Sequence, residues 1–286
     1  MTPTLLLTLV LAQSGPGIVY TAPAEGENIP VDKYEITVWE PGKELFLAVD
    51  LANVREKPEA EAAVLGTPDL GTPVTVQRRM EARVKVGDRV DHWYEVRLTG
   101  KDGKPLTGYV FGNVLTPYRY AADFDGDGEQ EIATVALTAD FKIRMRILEP
   151  SLPPPQRVAS AEVSPAGQAY ANVRGGPAEA LLVGAKRAGV PLIQVDSRSE
   201  MCSDYSTTYF SYVVPGAKKG VLGKAKVALK LGGLSDSPAY SDYKVSFQPK
   251  QRKLTVVQRS SDGEEDEQVT KEQYQWKDGV YGELKP

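Results

Sequence analysis

Apolar and polar residues alternate with period two along most of this chain. In "KIRMRIL", Ile143, Met145 and Ile147 alternate with Arg144 and Arg146. "KYEITVWE" places Tyr34, Ile36 and Val38 against charged or polar neighbours. "PVTVQRRM", "HWYEVRL", "EIATVAL", "EALLVGAK", "TTYFSYVV", "YKVSFQ" and "KLTVVQR" read as further strands, rich in β-branched and aromatic residues. Turn signals such as "GKDGKP", "RAGVP", "SDGEEDE" and "KDGVYG" separate them. Long helical periodicity is absent; only "EAEAAVLG", Glu59–Gly66, reads as one or two helical turns. Many short strands divided by regular turns predict an all-β protein with almost no helix.

The pattern breaks most clearly at "EPSLPPPQ", Glu149–Gln156. Consecutive prolines cannot donate to a sheet and favour an extended polyproline conformation, so this stretch reads as a stiff connector between domains. The expected organisation is an apolar leader over residues 1–17, an N-terminal extension over 18–45, and a small barrel over 46–118. A loop-and-strand segment over 119–150 and a C-terminal β-meander or sandwich-like domain over 156–286 complete it.

Residues 47–117 pack five or six short strands into about seventy positions, which a small closed barrel satisfies best. Val54, Val74, Val76, Tyr94, Val96 and Val110 are its expected inward positions, and Gly108 marks a close approach of two backbones. Here stand Asn53-Val54-Arg55 with Pro58, Gly71 before Val74 and Val76, Trp93-Tyr94-Glu95-Val96, and Gly108-Tyr109-Val110. This series resembles the bacterial SH3 (SH3b) family. "MEARVKVGDRVD" and "KDGKPL" are insertions relative to that pattern and read as hairpin extensions. The resemblance implies an SH3-like barrel that binds peptidoglycan or another envelope ligand, with Trp93, Tyr94 and Tyr109 as candidate groove aromatics. Packing in the barrel core is the alternative use of those rings.

"DFDGDGEQE" sets carboxylates at the first, third, fifth and ninth places: Asp123, Asp125, Asp127 and Glu131. Calcium takes six to eight hard oxygens, and this spacing on a curled loop supplies several, with the Glu129 backbone carbonyl at the seventh place. Gly126 and Gly128 permit the curl. An EF-hand is excluded, because its twelfth place is Thr134 and a strand follows. The loop resembles the calcium loop of FG-GAP (integrin-type) repeats over about fifteen residues, in a single copy. The expectation is a structural Ca²⁺ held by Asp123, Asp125, Asp127, Glu129 and Glu131; an acidic turn without metal is the alternative.

The net charge of −4 argues against nucleic acid, which needs a basic face. Leu5–Ala12 is apolar with a single Thr and is followed by small residues, the size of a signal-peptide core, although no Lys or Arg precedes it. Export to the periplasm or beyond is the expectation, with a buried or disordered start as the alternative. No other segment approaches a membrane-spanning length. The chain has one Cys, Cys202, and one His, His92, so no internal disulfide forms and every His-dependent triad would need that one residue. An enzyme is therefore not expected. The reading is an exported binding or scaffold protein of the bacterial envelope whose partner is peptidoglycan or an envelope protein. A protein–protein module built on the Tyr-rich segment Tyr205–Tyr281, or a carboxylate-based wall hydrolase, is the alternative.

Overall fold

The computed structural model describes residues 17–21, 29–165, 178–198, 204–236, 238–264 and 266–285. The apolar run Leu5–Ala12, on which the export expectation falls, and Cys202 lie outside the described residues. The protein is all-β: among the described residues the one α-helix is the single turn Ala185–Ala188. The helical expectation at Glu59–Gly66 is not met. Residues 56–62 are bends and turns, and Val64–Gly66 is a strand paired with Val54–Arg55. Sheet pairing overrides the modest helix propensity of two Glu and three Ala.

A seven-stranded sheet runs in the spatial order Val64–Gly66, Val54–Arg55, Pro105–Phe111, Arg89–Thr99, Pro73–Val86, Glu44–Leu47, Leu115–Thr116. Near its two ends it contributes Val54 and Leu115 to one apolar cluster, together with Val74, Val76, Tyr94, Val96 and Val110. A flat sheet cannot bring its ends to one core, so this one is rolled. All six expected inward positions are buried. The insertion before Trp93 extends the central hairpin, Pro73–Val86 with Arg89–Thr99, which turns at Gly87 with φ +62°. Register shifts between Val76 and Arg78 and between Arg79 and Arg83 bend it. At Gly108 a side chain would meet the Arg55 carbonyl oxygen and Val54 Cγ1, both at 2.7 Å, so the close backbone approach expected there is present.

A four-stranded antiparallel sheet follows: Arg119–Ala122, Glu131–Leu137, Ile143–Leu148, Val158–Val163. Ile143, Met145 and Ile147 face inward while Arg144 and Arg146 point away, as the alternation predicts. The proline-rich stretch does not divide two domains. It is the loop of a hairpin in which Ile143–Leu148 pairs residue for residue with Val158–Val163, closed by Glu149 N donating to Arg157 O at 2.8 Å. The prolines occupy the one place in this hairpin where no ladder donor is required. The expected boundary at residue 156 is thereby corrected, since the strand after it belongs to the preceding sheet.

The last sheet has eight strands in chain order, from Ala178–Val183 to Val280–Glu283, each antiparallel to its predecessor. This meander is joined to the rest of the chain. Ile18 and Ala178 exchange backbone hydrogen bonds at 2.8 and 2.9 Å. The hydroxyls of Tyr118 and Tyr120 donate to Ala178 O at 3.2 Å and Ala180 O at 2.5 Å. One apolar cluster runs from Ile18 through the rolled sheet and the four-stranded sheet to Phe210 and Tyr212 of the meander.

Candidate metal centre

The loop 123–130 joins the paired residues Ala122 and Glu131 of one hairpin. Its curl follows from its composition. Gly126 and Gly128 have φ of +84° and +90°, and a Cβ at either would meet nothing within 4 Å. Conformation, not space, therefore selects glycine at both. The aspartates fold the backbone onto themselves. Asp123 accepts from Gly126 N at 2.7 Å and from Gly128 N at 3.1 Å, Asp125 from Asp127 N at 3.0 Å, and Asp127 from Glu129 N at 2.7 Å. Phe124 is buried and pins the loop to the core.

Glu131 closes the ring. It is fully buried, and its Oε2 accepts from Phe124 N at 2.6 Å. Its other oxygen, Oε1, is buried without a partner, as are Asp125 Oδ2, Asp127 Oδ2 and Glu129 Oε2. One carboxylate oxygen from each of Asp123, Asp125 and Glu131 lies within 4.8 Å of the others. Oxygens on one calcium ion, each about 2.3–2.6 Å from it, are separated by up to about 5 Å. Magnesium, at about 2.1 Å, holds its oxygens within about 4.2 Å. The donor set is all hard oxygen and fits calcium better. Burial, joined by the charges of Asp125 and Glu149, pushes Glu131 up to about 8. Burial, then the neighbouring Asp127, Glu149 and Asp123 carboxylates, raises Asp125.

Of the five expected ligands, the structure brings Asp123, Asp125 and Glu131 into the tight group. Asp127 and Glu129 flank it, and Lys219 Nζ approaches Glu129 Oε1 at 3.8 Å. Sequence reading missed Glu149. It is buried at the end of the neighbouring strand, accepts from Ser151 Oγ at 2.7 Å and takes a long 3.4 Å contact from the Tyr212 hydroxyl. The available signal was an acid directly after an alternating strand, which the prolines behind it obscured.

Of the three candidate groove aromatics, Trp93 and Tyr94 take the alternative use, packing in the core. Trp93 is buried with its ring 5.2 Å from Phe111, and Tyr94 is fully buried with its hydroxyl accepting from Trp39 N at 3.3 Å. Successive residues of a strand face opposite sides, and here both sides are covered. Tyr109 alone is part-exposed, and its hydroxyl accepts from Arg78 Nη2 at 3.0 Å. His92 is buried, and its Nδ1–H donates to Met80 O at 2.9 Å. Burial, with help from the charges of Arg79 and Arg83, lowers its pKa.

Asp91, beside it, is buried within 3.5 Å of Arg89 Nε and accepts from His92 N at 2.9 Å. Burial outweighs the lowering effect of Arg89 and pushes Asp91 up to about 6. A carboxyl whose folded pKa exceeds its unfolded value contributes stability that is complete below about pH 4 and lost as pH rises through 6. The loss expected from this group is about 3 kcal/mol. Denaturant midpoints from pH 4 to 7 should show that component in the wild type and not in Asp91→Asn. Parallel profiles for the two proteins would refute it.

Comparison with protein-family models, with curated proteins and with solved structures finds no match for this chain. Among the described residues no helix is long and apolar enough to cross a membrane.

Proposed function

We propose that this is a calcium-stapled binding protein of the bacterial envelope, exported, without catalytic activity of its own, that holds peptidoglycan or another envelope ligand on its rolled sheet. The observation that carries the calcium part is the fully buried Glu131 carboxylate, whose Oε1 has no protein partner and stands within 4.8 Å of Asp123 and Asp125 oxygens. A buried charge with an unmet acceptor is costly, and a hard cation removes that cost for three carboxylates together. The role is structural, because the loop lies where Lys219 and Tyr212 of the meander meet the four-stranded sheet.

The envelope reading rests on the resemblance of residues 47–117 to bacterial SH3 modules. With Trp93 and Tyr94 in the core, the ligand surface moves to Tyr109 and to a cleft of about 450 Å³ at Phe46, Thr75, Arg97 and Pro105 on the same sheet. The absence of a reaction rests on His92, whose imidazole is committed to Met80 and lies in the barrel hairpin.

The test is co-sedimentation of residues 18–286 with purified sacculi, in calcium and in chelator. Pelleting in calcium supports wall binding, and its loss in chelator makes the loop a condition of it. No pelleting in either buffer removes the wall as ligand and leaves a protein partner on the meander.

A further inference from the structure

A second polar cleft, of about 220 Å³, opens where the hairpin loop 138–142 of the four-stranded sheet meets the rolled sheet. Val49, Arg89, Asn113, Thr138, Arg144 and Arg146 line it. Two of its arginines are committed. Arg144 is paired with Glu162. Arg89 lies 3.8 Å over the Tyr20 ring, donates to Leu137 O at 2.6 Å and approaches Asp91 at 3.5 Å.

Arg146 is different. Its Nη1 donates to Ala48 O at 3.2 Å, and among the described residues no carboxylate lies within ion-pair distance of it. Its one acceptor is already shared with the Thr134 hydroxyl at 3.3 Å. A guanidinium carries five N–H donors in a planar fork, so most of its capacity is unmet. The two acids of the cleft do not answer it. Asp140 is tied to Lys142 at 2.7 Å and to the Thr138 hydroxyl. Asp88 sits exposed on the turn between the long strands. Burial, then the like charge of Arg144, pulls the Arg146 pKa down to about 10, and the Glu162 carboxylate, which is paired with Arg144 and beyond ion-pair distance of Arg146, offsets this only in part.

We propose that this cleft binds a small oxyanion, the carboxylate or phosphate group of a ligand, on the fork of Arg146, with Asn113 as a neutral partner beside it. The alternation of the strand Ile143–Leu148 places this guanidinium on the face away from Ile143, Met145 and Ile147 and towards Ala48. Two oxygens of a carboxylate or phosphate satisfy such a fork through two parallel hydrogen bonds, which a lone carbonyl cannot do. The proposal does not depend on calcium.

The test follows the Arg146 Nε–Hε signal by NMR in calcium-loaded residues 18–286, titrated with acetate, methyl phosphate, or chloride at equal ionic strength. Saturable shifts with acetate or methyl phosphate and none with chloride are expected, the stronger probe naming the group as carboxylate or phosphate. Read at the Arg144 Nε–Hε, a reporter in the same cleft that the variants retain, Arg146→Lys, which keeps the charge and loses the fork, should weaken the saturable shift by at least about tenfold. Arg146→Met should abolish the shift of the neighbouring Arg144 signal. Identical, unsaturable drifts for all three salts, or an unchanged response in Arg146→Lys, would overturn the proposal. Because the wild-type signal is read directly, poor folding of the Met variant leaves the outcome decidable.

Discussion

Calcium added to the chelated protein is expected to raise its melting temperature by about 5–10 °C. Ligand at one hundred times its dissociation constant stabilises by about 2.7 kcal/mol, and each kcal/mol moves a protein of this size by about 2–4 °C. The physical source is the crowding of Asp123, Asp125 and Glu131 oxygens within 4.8 Å of one another. Two unit charges at that distance repel by on the order of 3 kcal/mol at an effective dielectric near 20. Glu131→Gln separates a ligand from a residue that merely packs. Gln keeps an oxygen for the Phe124 N–H and removes the charge, so the metal-free protein should be neutral to slightly stabilised. Calcium affinity should fall by at least about tenfold, and the calcium-induced rise in melting temperature should shrink with it. Asp125→Asn should behave alike. Calorimetry showing no heat at millimolar calcium, with an unmoved melting temperature, would remove the metal from this loop.

Replacing Arg157 by Met is expected to cost about 3–5 kcal/mol, the range for breaking a buried ion pair from one side. Arg157 is buried at the end of the proline-rich loop. Its Nε and Nη2 donate to the two Asp50 oxygens at 2.9 and 2.8 Å, and Nη2 lies 2.6 Å from Asp69 Oδ1. Asp50 also accepts from Leu70 N at 3.2 Å. One guanidinium thus ties the four-stranded sheet to two connections of the rolled sheet. Its loss leaves the half-buried Asp50 with no cation, while Asp69 retains Lys101 at 2.7 Å. Arg157→Lys should recover only part of the loss, because an ammonium cannot span both Asp50 oxygens. Urea midpoints measure both variants. A cost below about 1 kcal/mol for Arg157→Met would place this pair with exposed surface salt bridges.

These two sites differ in how far the sequence announced them. The acidic loop is local. Its acids alternate within nine residues, and the glycines that curl it stand between them, so ligand type, spacing and turn chemistry coincide in one short stretch. The Arg157 clamp is non-local, its partners 107 positions apart in the chain. Glu149 belongs with the clamp. It acts on the acidic loop only because the strand Ile143–Leu148 lies beside Glu131–Leu137 and delivers it there.

Local physics determined the strands, the turns and the candidate ligands. Side chains alternate across a strand whatever it pairs with, so Ile143, Met145 and Ile147 could be assigned inward before any partner was known. Gly108 could be read as a close approach because a missing side chain in a strand implies a neighbour. Tertiary structure decided what stood opposite each face. It placed a covering residue, Phe111, over Trp93, and so took from solvent a ring that sequence had offered to a ligand. It made the proline-rich stretch a hairpin loop instead of a boundary, and among the described residues it left Arg146 in its cleft with no carboxylate at ion-pair distance. Period and turn chemistry are properties of a few consecutive residues. Burial, pairing and charge balance depend on which distant faces meet, and no short stretch of this chain encodes that.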